Sequence, residues 1–567
     1  MYFLALATDF DGTIARDGVV KQETIDALRR LKESGRRLIL VTGRELPDLI
    51  KSFPELVMFD SVVAENGALL YDPATQNQRL LAAPPPPRLV ERLREMKVEP
   101  LSIGRSIVAT WEPNQGKVIE IVRELGLERQ ITFNKGAIMI LPSGVTKSSG
   151  LLAALGTLDL SAHNVVAVGD AENDHAFLSI CGCSAAVSNA LPALKAIVDI
   201  QLMKGQGDGV VELIDKLLRD DARILPTERH GISVGVDCEG NKVNLDPSRG
   251  SVLIVGPSRS GKTTIATALT ERMVAQHYEF VVIDPEGDYV DLQHTVCLGG
   301  PRMPPSTADI VKLIRDSTVN VVINTQALLL ANRRAHFAMI LDQTAYLRCQ
   351  TGRPHWLLVD EAHEVFPKGH RGLPRTGTSE LPAMVLVTIS SGLLSVDALQ
   401  AVETVIILGR QPFEALAEFA EAVGTSTPTE IPQPSSDEAL YWTWRSDKPP
   451  SLVRVTPPAQ RHKRHEGKYA EGDVGVGRSF YFTSPSGSHS VGAKNLFVFV
   501  EVAERVDDET WERHLRAGDY SAWFRHVIRD EGLAQAAAAI ERDRLLDSRE
   551  SRARIRDAVY GRYAAPS

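Results

Sequence analysis

The sequence predicts an α/β protein of several domains, and three observations carry that expectation. Short apolar runs recur along the chain, at Phe3 to Thr8, Arg37 to Val41, Val165 to Val168, Ser251 to Val255 and Trp356 to Val359. They are separated by stretches long enough for helices, which is the rhythm of parallel sheets. Most of these runs end in glycine, hydroxyl or carboxylate residues, where parallel strands collect functional side chains. At 567 residues the chain also exceeds what one hydrophobic core organises, and three or four domains are expected.

Composition narrows the class. A formal charge of −9 gives a whole-protein field that does not favour nucleic acid, although a local basic groove stays compatible with it. The five cysteines show no two-pair metal spacing, and Cys181 and Cys183 read as a buried thiol pair. The N-terminus lacks a positively charged leader, and no apolar segment reaches the roughly 18 residues that cross a bilayer. A cytoplasmic protein without membrane contact is expected.

The first run ends at Asp9-Phe10-Asp11-Gly12-Thr13. Two carboxylates two residues apart can share a divalent cation where the chain turns, and Gly12 permits that turn. Asp9 is then placed to attack phosphorus and Asp11 to protonate the leaving oxygen; the bland alternative is a solvated acidic turn. The run Arg37 to Val41 ends at Thr42-Gly43-Arg44, where a hydroxyl and a backbone N–H suit phosphate oxygens. Lys147 stands ahead of a helix in Gly144-Val145-Thr146-Lys147, and Val165 to Val168 leads to Gly169-Asp170-Ala171-Glu172-Asn173-Asp174.

Over residues 1–222 these four motifs resemble the haloacid dehalogenase-like phosphatases, in the branch with sugar-phosphate, sucrose-phosphate and phosphoglycolate phosphatases. The resemblance implies a Rossmann-like domain in which Asp9 is the nucleophile and Asp11 the general acid/base. Thr42 and Lys147 would hold phosphate, and Asp9, Asp11, Asp170 and Asp174 would surround Mg2+, with Asp174 also available to orient Lys147. Asn173 would lie on the phosphate side, and Gly205 to Val210 resembles the closing segment. Asn66-Gly67-Ala68 reads as a turn of the main sheet. Residues 84–143, entered through four prolines, are expected to form a small α/β cap of two helices and a sheet. Arg105, Trp111, Asn134 and Lys135 are its candidate pocket residues. A small phosphorylated substrate is expected under such a cap.

Residues 223–455 begin with an expected hairpin up to Leu245 and contain a second phosphate site. The loop Gly256-Pro257-Ser258-Arg259-Ser260-Gly261-Lys262-Thr263, with Thr264 opening the helix-compatible run, follows an apolar strand directly. A glycine-rich turn between strand and helix aims backbone N–H groups at one point, so ATP with Mg2+ is the expected cofactor. Lys262 would reach the outer phosphates and Thr263 the metal. The run Trp356 to Val359 ends at Asp360-Glu361, where Asp360 would hold Mg2+ and Glu361 would polarise the attacking water.

With Asp284-Pro285-Glu286-Gly287-Asp288-Tyr289, this region resembles the ring-forming HerA/FtsK-type translocase ATPases. The chain departs from them where they carry a glutamine, reading Thr388-Ile389-Ser390-Ser391-Gly392. By the resemblance Glu286 would lie near the nucleotide or a neighbouring subunit. Arg410 is a candidate trans-acting arginine, which requires a homo-oligomer, such as a ring. His363 reads as a buttress of its loop, and the segment Pro367 to Glu380, with Lys368, Arg371 and Arg375, reads as exposed.

Residues 456–469 read as a basic linker and 470–567 as a small α+β docking or assembly module. There, Phe480 to Phe482 and Leu496 to Val502 are expected as strands, and Leu533 to Tyr560 as one long helix. Two functions compete: a phosphatase joined to a regulating or assembling ATPase, and a nucleic-acid-processing motor whose phosphatase trims ends.

Overall fold

The computed structural model describes residues 1–563 except 135, 248–249, 258–259, 317–318, 370–382, 436, 447, 460–473, 475–477, 485–489 and 529. Ser258, Arg259, Lys135, Arg371, Arg375 and most of the basic linker therefore lie outside the described residues.

The first sheet has eight strands, with Ala5–Thr8 between Val165–Gly169 and Arg37–Val41. Both neighbours are parallel to it, and Thr8 stands opposite Val168 on one side and Leu40 on the other. That register aligns the carboxyl ends, so Asp9, Thr42 and Asp170 leave the sheet side by side. Apart from the exposed Arg37 and from Thr8 at its strand's carboxyl end, these strands are apolar and buried on both faces, as covered parallel sheets require.

Between residues 84 and 143 the chain forms a small α/β unit. The helices Pro87–Glu95 and Gln115–Glu124 cover a four-stranded antiparallel sheet, ordered Arg129–Asn134, Ala137–Pro142, Val108–Trp111, Ser102–Ile103. The run Ile103 to Thr110, read as one strand, is a hairpin that turns at Gly104, whose N–H bonds the Ile107 carbonyl at 3.0 Å.

The second sheet has eleven strands. Seven run parallel, in the order Val402–Ile407, Ser251–Val255, Ala383–Thr388, Trp356–Val359, Phe280–Asp284, Asn320–Asn324, Thr295–Leu298. Antiparallel strands Glu438–Thr443 and Ser451–Val455 then join the sheet to the hairpin Ile232–Val236 and Lys242–Leu245.

The C-terminal region corrects two expectations. Leu496–Ala503 is a helix, because the Asn495 carboxamide caps it through Val498 N–H at 2.8 Å. The strand pairing with Phe480–Thr483 is Ser490–Ala493. The expected single helix is two, Glu531–Arg542 and Ser548–Arg562, the second restarted by Asp547 accepting Glu550 N–H at 2.7 Å. Phe480, Phe482, Phe499, Trp511, Tyr520 and Trp523 form the core of this module. Arg478 of the same region reaches Glu286, at 3.2 Å, so the module touches the second sheet's domain.

The two large domains are also joined. His163 stacks on Tyr278 with ring centroids 4.0 Å apart, and His230 and His355 pack edge-on against the His163 ring. Arg353 pairs with Asp159 across this seam.

Candidate active sites

At the carboxyl edge of the first sheet, Lys147 Nζ lies 2.5 Å from both Asp9 and Asp174. Lys147 opens the helix Lys147–Leu158, which Thr146 and Ser149 cap reciprocally. The lysine is 1 % exposed and Asp9 4 %, so this charge cluster is sealed from water. Burial, then the charge of Asp174, pushes Asp9 up to about 8 against the pull of Lys147. Burial alone would lower Lys147, but Asp174 and Asp9 outweigh it and hold the ammonium above its ordinary range.

Asp9, Asp170 and Asp174 each bring a carboxylate oxygen within 4.8 Å of the others, all buried. Three hard oxygen donors with an excess of negative charge fit Mg2+. Asp174 is also committed elsewhere: its second oxygen accepts the N–H groups of Asp170 and Ala171 at 2.8 and 2.9 Å.

Asp11, expected among the metal donors, turns its side chain to Arg44. Gly12 takes a left-handed turn, φ 79°, and the Asp11 side chain is half exposed. Its two oxygens meet the Arg44 guanidinium fork, each at 2.7 Å. Thr42 is buried, and its hydroxyl accepts the Arg44 N–H at 3.1 Å.

Three contributors were missed in sequence. The Thr13 hydroxyl touches Asp9 and Asp170, at 3.3 and 3.4 Å. Asn189 bridges the Gly12 carbonyl at 2.8 Å and, through Gln206 N–H at 2.7 Å, the closing segment. Arg44 is the third. Asn189 follows the strand next to that of Asp170, and this position was the available signal. Asn173 does lie on this edge, with its amide 3.0 Å from Asn66 Oδ1.

The cap sits over the edge through Met139, whose Cε would lie 3.3 Å from a Cβ at Gly43. Of the expected cap residues, Arg105 extends to Gln78 at 2.5 Å, Trp111 is half exposed against Gly136, and Asn134 closes the hairpin opposite Ala137.

The second edge holds the glycine-rich loop. Helix Lys262–Ala275 starts at Gly261, φ 98°, a backbone that glycine accepts without strain. Lys262 Nζ donates to the Gly256 and Pro257 carbonyls at 2.8 and 3.0 Å, folded over its own loop. Gly256 has no room for a Cβ, which would stand 2.6 Å from Ser260 Oγ and 2.7 Å from the Leu408 carbonyl. Thr263 and Thr264 follow in the first helical turn. This strand, tight turn and helix fit a nucleotide phosphate chain.

One strand separates the loop's strand from Trp356–Val359, which delivers Asp360 and Glu361. Burial pushes Asp360 well up, and Glu361, Asp288, Asp284 and Glu286 add to the shift; a cation is the natural relief. Asp284 itself is a turn former, accepting the N–H groups of Gly287, Asp288 and Tyr289 at 2.7 to 2.9 Å.

His363 Nδ1 lies 3.4 Å from Glu361 and 3.2 Å from the Thr388 hydroxyl, which ties the acidic loop to the next strand. Ser390 is drawn away to Glu418, at 2.9 Å. Arg410 is exposed just after Gly409, and a Cβ at Gly409 would lie 2.9 Å from Pro257. Gly409, the residue before Arg410, thus packs on its own chain's glycine-rich loop. Glu286 is buried and meets Arg478.

Comparison with known proteins follows this division. Residues 6–100 and 108–214 match the family described as haloacid dehalogenase-like hydrolase, and residues 237–345 match the central domain of helicase HerA. The chain is 29 % identical over 227 residues to Phosphoglycolate phosphatase 2 of Saccharolobus solfataricus, covering 38 % of this chain and 92 % of that protein. It is 30 % identical over 227 residues to a phosphoglycolate phosphatase of Methanopyrus kandleri, covering 38 % and 96 %. A phosphoglycolate phosphatase of Methanothermobacter thermautotrophicus is 29 % identical, with 98 % of it covered and 38 % of this chain. No helix among the described residues is long and apolar enough to cross a membrane.

Proposed function

Because the chain belongs, through residues 6–214, to the haloacid dehalogenase-like hydrolases, we propose that it is a bifunctional enzyme, a Mg2+-dependent phosphatase of small phosphomonoesters coupled to an ATP-hydrolysing domain. The observation that carries this reading is the buried Lys147 held between Asp9 and Asp174 beside Asp170.

In this reading a carboxylate oxygen of Asp9 attacks phosphorus and the bond from phosphorus to the ester oxygen breaks. Asp11 leaves its Arg44 pair, takes up a proton from solvent and passes it to the departing oxygen. Water then attacks the aspartyl-phosphate while Asp11, now a carboxylate, takes its proton; the bond from phosphorus to the Asp9 oxygen breaks, releasing inorganic phosphate and the Asp9 carboxylate. Lys147 and Thr42 hold the phosphoryl oxygens. Mg2+ would be held by Asp9 and Asp170, with Asp174 nearby, and supplies positive charge between two approaching anions. The cap seated on Gly43 supports a small substrate, and phosphoglycolate is the first to test.

In the second domain Lys262 would hold the outer phosphates of ATP, Thr263 and Asp360 the metal, and Glu361 would orient water. The seam around His163 supports regulation of one centre by the other. Turnover of phosphoglycolate, sugar phosphates and nucleotides, with Asp9→Asn as control, tests the phosphatase; no turnover of any of them sinks it.

The match to the HerA central domain favours a second reading, a nucleic-acid-processing ATPase whose phosphatase acts on a nucleotide or an end. Arg410 would then act across a ring of subunits. ATP hydrolysis measured with and without single- and double-stranded DNA separates the two, since at least several-fold stimulation belongs to a motor.

A further inference from the structure

Glu65 ends the strand Ser61–Ala64, next to the loop that carries Thr42, and it is 0 % exposed. A carboxylate so deeply buried needs donors, and its two come from the cap. Glu65 Oε1 accepts Arg105 N–H at 2.9 Å and Oε2 accepts Ser106 N–H at 2.8 Å. Both N–H groups belong to the tip of the cap hairpin. Bonds from neutral amides to an ionised acceptor inside a protein are strong, and leaving one unmade is costly.

The acceptor is fixed from behind as well. Glu65 and Asn66 both occupy the left-handed region, at φ 50° and 54°, which non-glycine residues adopt only when their surroundings insist. The Glu65 N–H bonds the Arg44 carbonyl at 2.9 Å and the Asn66 N–H bonds the Thr42 carbonyl at 3.0 Å. Gly67 packs so closely on the residue before Lys147 that a Cβ there would meet the Thr146 carbonyl. Glu65, Asn66 and Gly67, the last two of which were read in sequence as part of a plain turn with Ala68, therefore touch the loop of Thr42, the helix of Lys147 and the cap together.

We propose that Glu65 is a positioning residue for phosphoryl transfer: its carboxylate pins the hairpin tip of the cap to the loop that holds Thr42, and so sets how the cap seats over the phosphoryl group. The inference rests on the phosphatase reading. A cap displaced by one ångström loses both bonds, so closure and the seating of phosphate are linked. A carboxamide in place of the carboxylate satisfies one N–H and confronts the other with its own donor.

Two variants test this from opposite sides. Glu65→Gln changes the acceptor, whereas Gly104→Ala keeps it and places a Cβ 2.8 Å from Glu65 Oε2, forcing the tip away. Steady-state hydrolysis of p-nitrophenyl phosphate by the full chain is expected to show kcat reduced at least tenfold in both, with KM changed less than threefold. ATP hydrolysis stays at the wild-type value, and the unmade bond lowers the melting temperature while the chain remains folded at the assay temperature. The proposal is overturned if kcat stays within twofold of wild type in both variants, or if ATP hydrolysis falls in step with phosphatase turnover. A wild-type chain without phosphatase turnover overturns the phosphatase reading and this inference with it.

Discussion

The ring Nε2 of His163 lies 2.8 Å from the carbonyl oxygen of Gln276. His163 stands two residues before the strand Val165–Gly169, which Asp170 follows, and Gln276 terminates the helix that begins at Lys262. One hydrogen bond thus connects the element behind the glycine-rich loop with the element that leads to Asp170 at the other centre. If this contact transmits occupancy, a saturating non-hydrolysable ATP analogue changes the phosphatase kcat at least twofold in wild type and leaves His163→Ala unchanged. Equal responses in the two proteins would remove this contact from any coupling.

The histidines of the same seam weaken folding in acid, an effect offset in part by Glu279, which burial raises to about 7. Burial lowers His163 to about 4, burial and then Arg229 lower His230 to about 3, and burial and then His163 lower His355. The charged groups facing them are Arg229, Arg348 and Arg353, with Asp159, Glu279 and Asp199 already paired to Arg353 and Arg229. In the unfolded chain each histidine binds a proton near its ordinary value of about 6.5, whereas the folded form stays neutral. The stabilisation is therefore complete above that value and is lost as pH falls from about 6.5 toward 4, by up to about tenfold in the folding equilibrium per histidine per pH unit. Thermal unfolding followed between pH 7.5 and 5 checks this, with the expected decline in the acid half of the range.

Asp9→Asn and Lys147→Met separate catalysis from stability. Asp9 is pushed up to about 8 by burial and by Asp174, so a neutral isostere relieves repulsion; turnover is abolished while the melting temperature holds or rises. Lys147→Met also abolishes turnover but leaves Asp9 and Asp174 facing each other without their cation. A loss of about 3 kcal/mol in denaturant unfolding is expected.

At the nucleotide site, Lys262→Ala is expected to weaken ATP binding at least tenfold, measured by calorimetry. Glu361→Gln is expected to keep binding within a few-fold and lower hydrolysis by about two orders of magnitude. Phosphatase turnover without nucleotide stays at the wild-type level in both. Unchanged ATP hydrolysis in Glu361→Gln would remove that residue from the reaction.

Much of the two phosphate-handling edges was legible because parallel strands in register bring their carboxyl ends to one line. Asp9, Thr42 and Asp170 converge for that reason, and the strands themselves are largely apolar runs. The orientation of Asp11 was not legible, because it depends on Arg44, 33 positions away, offering a fork at the right distance. Leu496 to Ala503 has the composition of a buried strand; its capping asparagine and the burial of Leu496, Phe499, Val500 and Ala503 on one helical face decide for a helix. Glu438–Thr443 and Ser451–Val455 escaped notice because they follow a loop rich in proline and join the sheet antiparallel, outside the rhythm of the other strands. Glu65 was hidden by its neighbours, since Asn-Gly signals a turn and says nothing of a carboxylate reaching into another subdomain.

The stacked pair His163 and Tyr278 bears on how this protein can be dissected. Cutting the chain near residue 223 would strip each ring of its cover and wet a face that also holds His355 and the Arg353 and Asp159 pair. Either fragment, expressed alone, would carry a sticky flank prone to self-association, so activities measured on separated halves would describe altered surfaces instead of the halves of the intact enzyme.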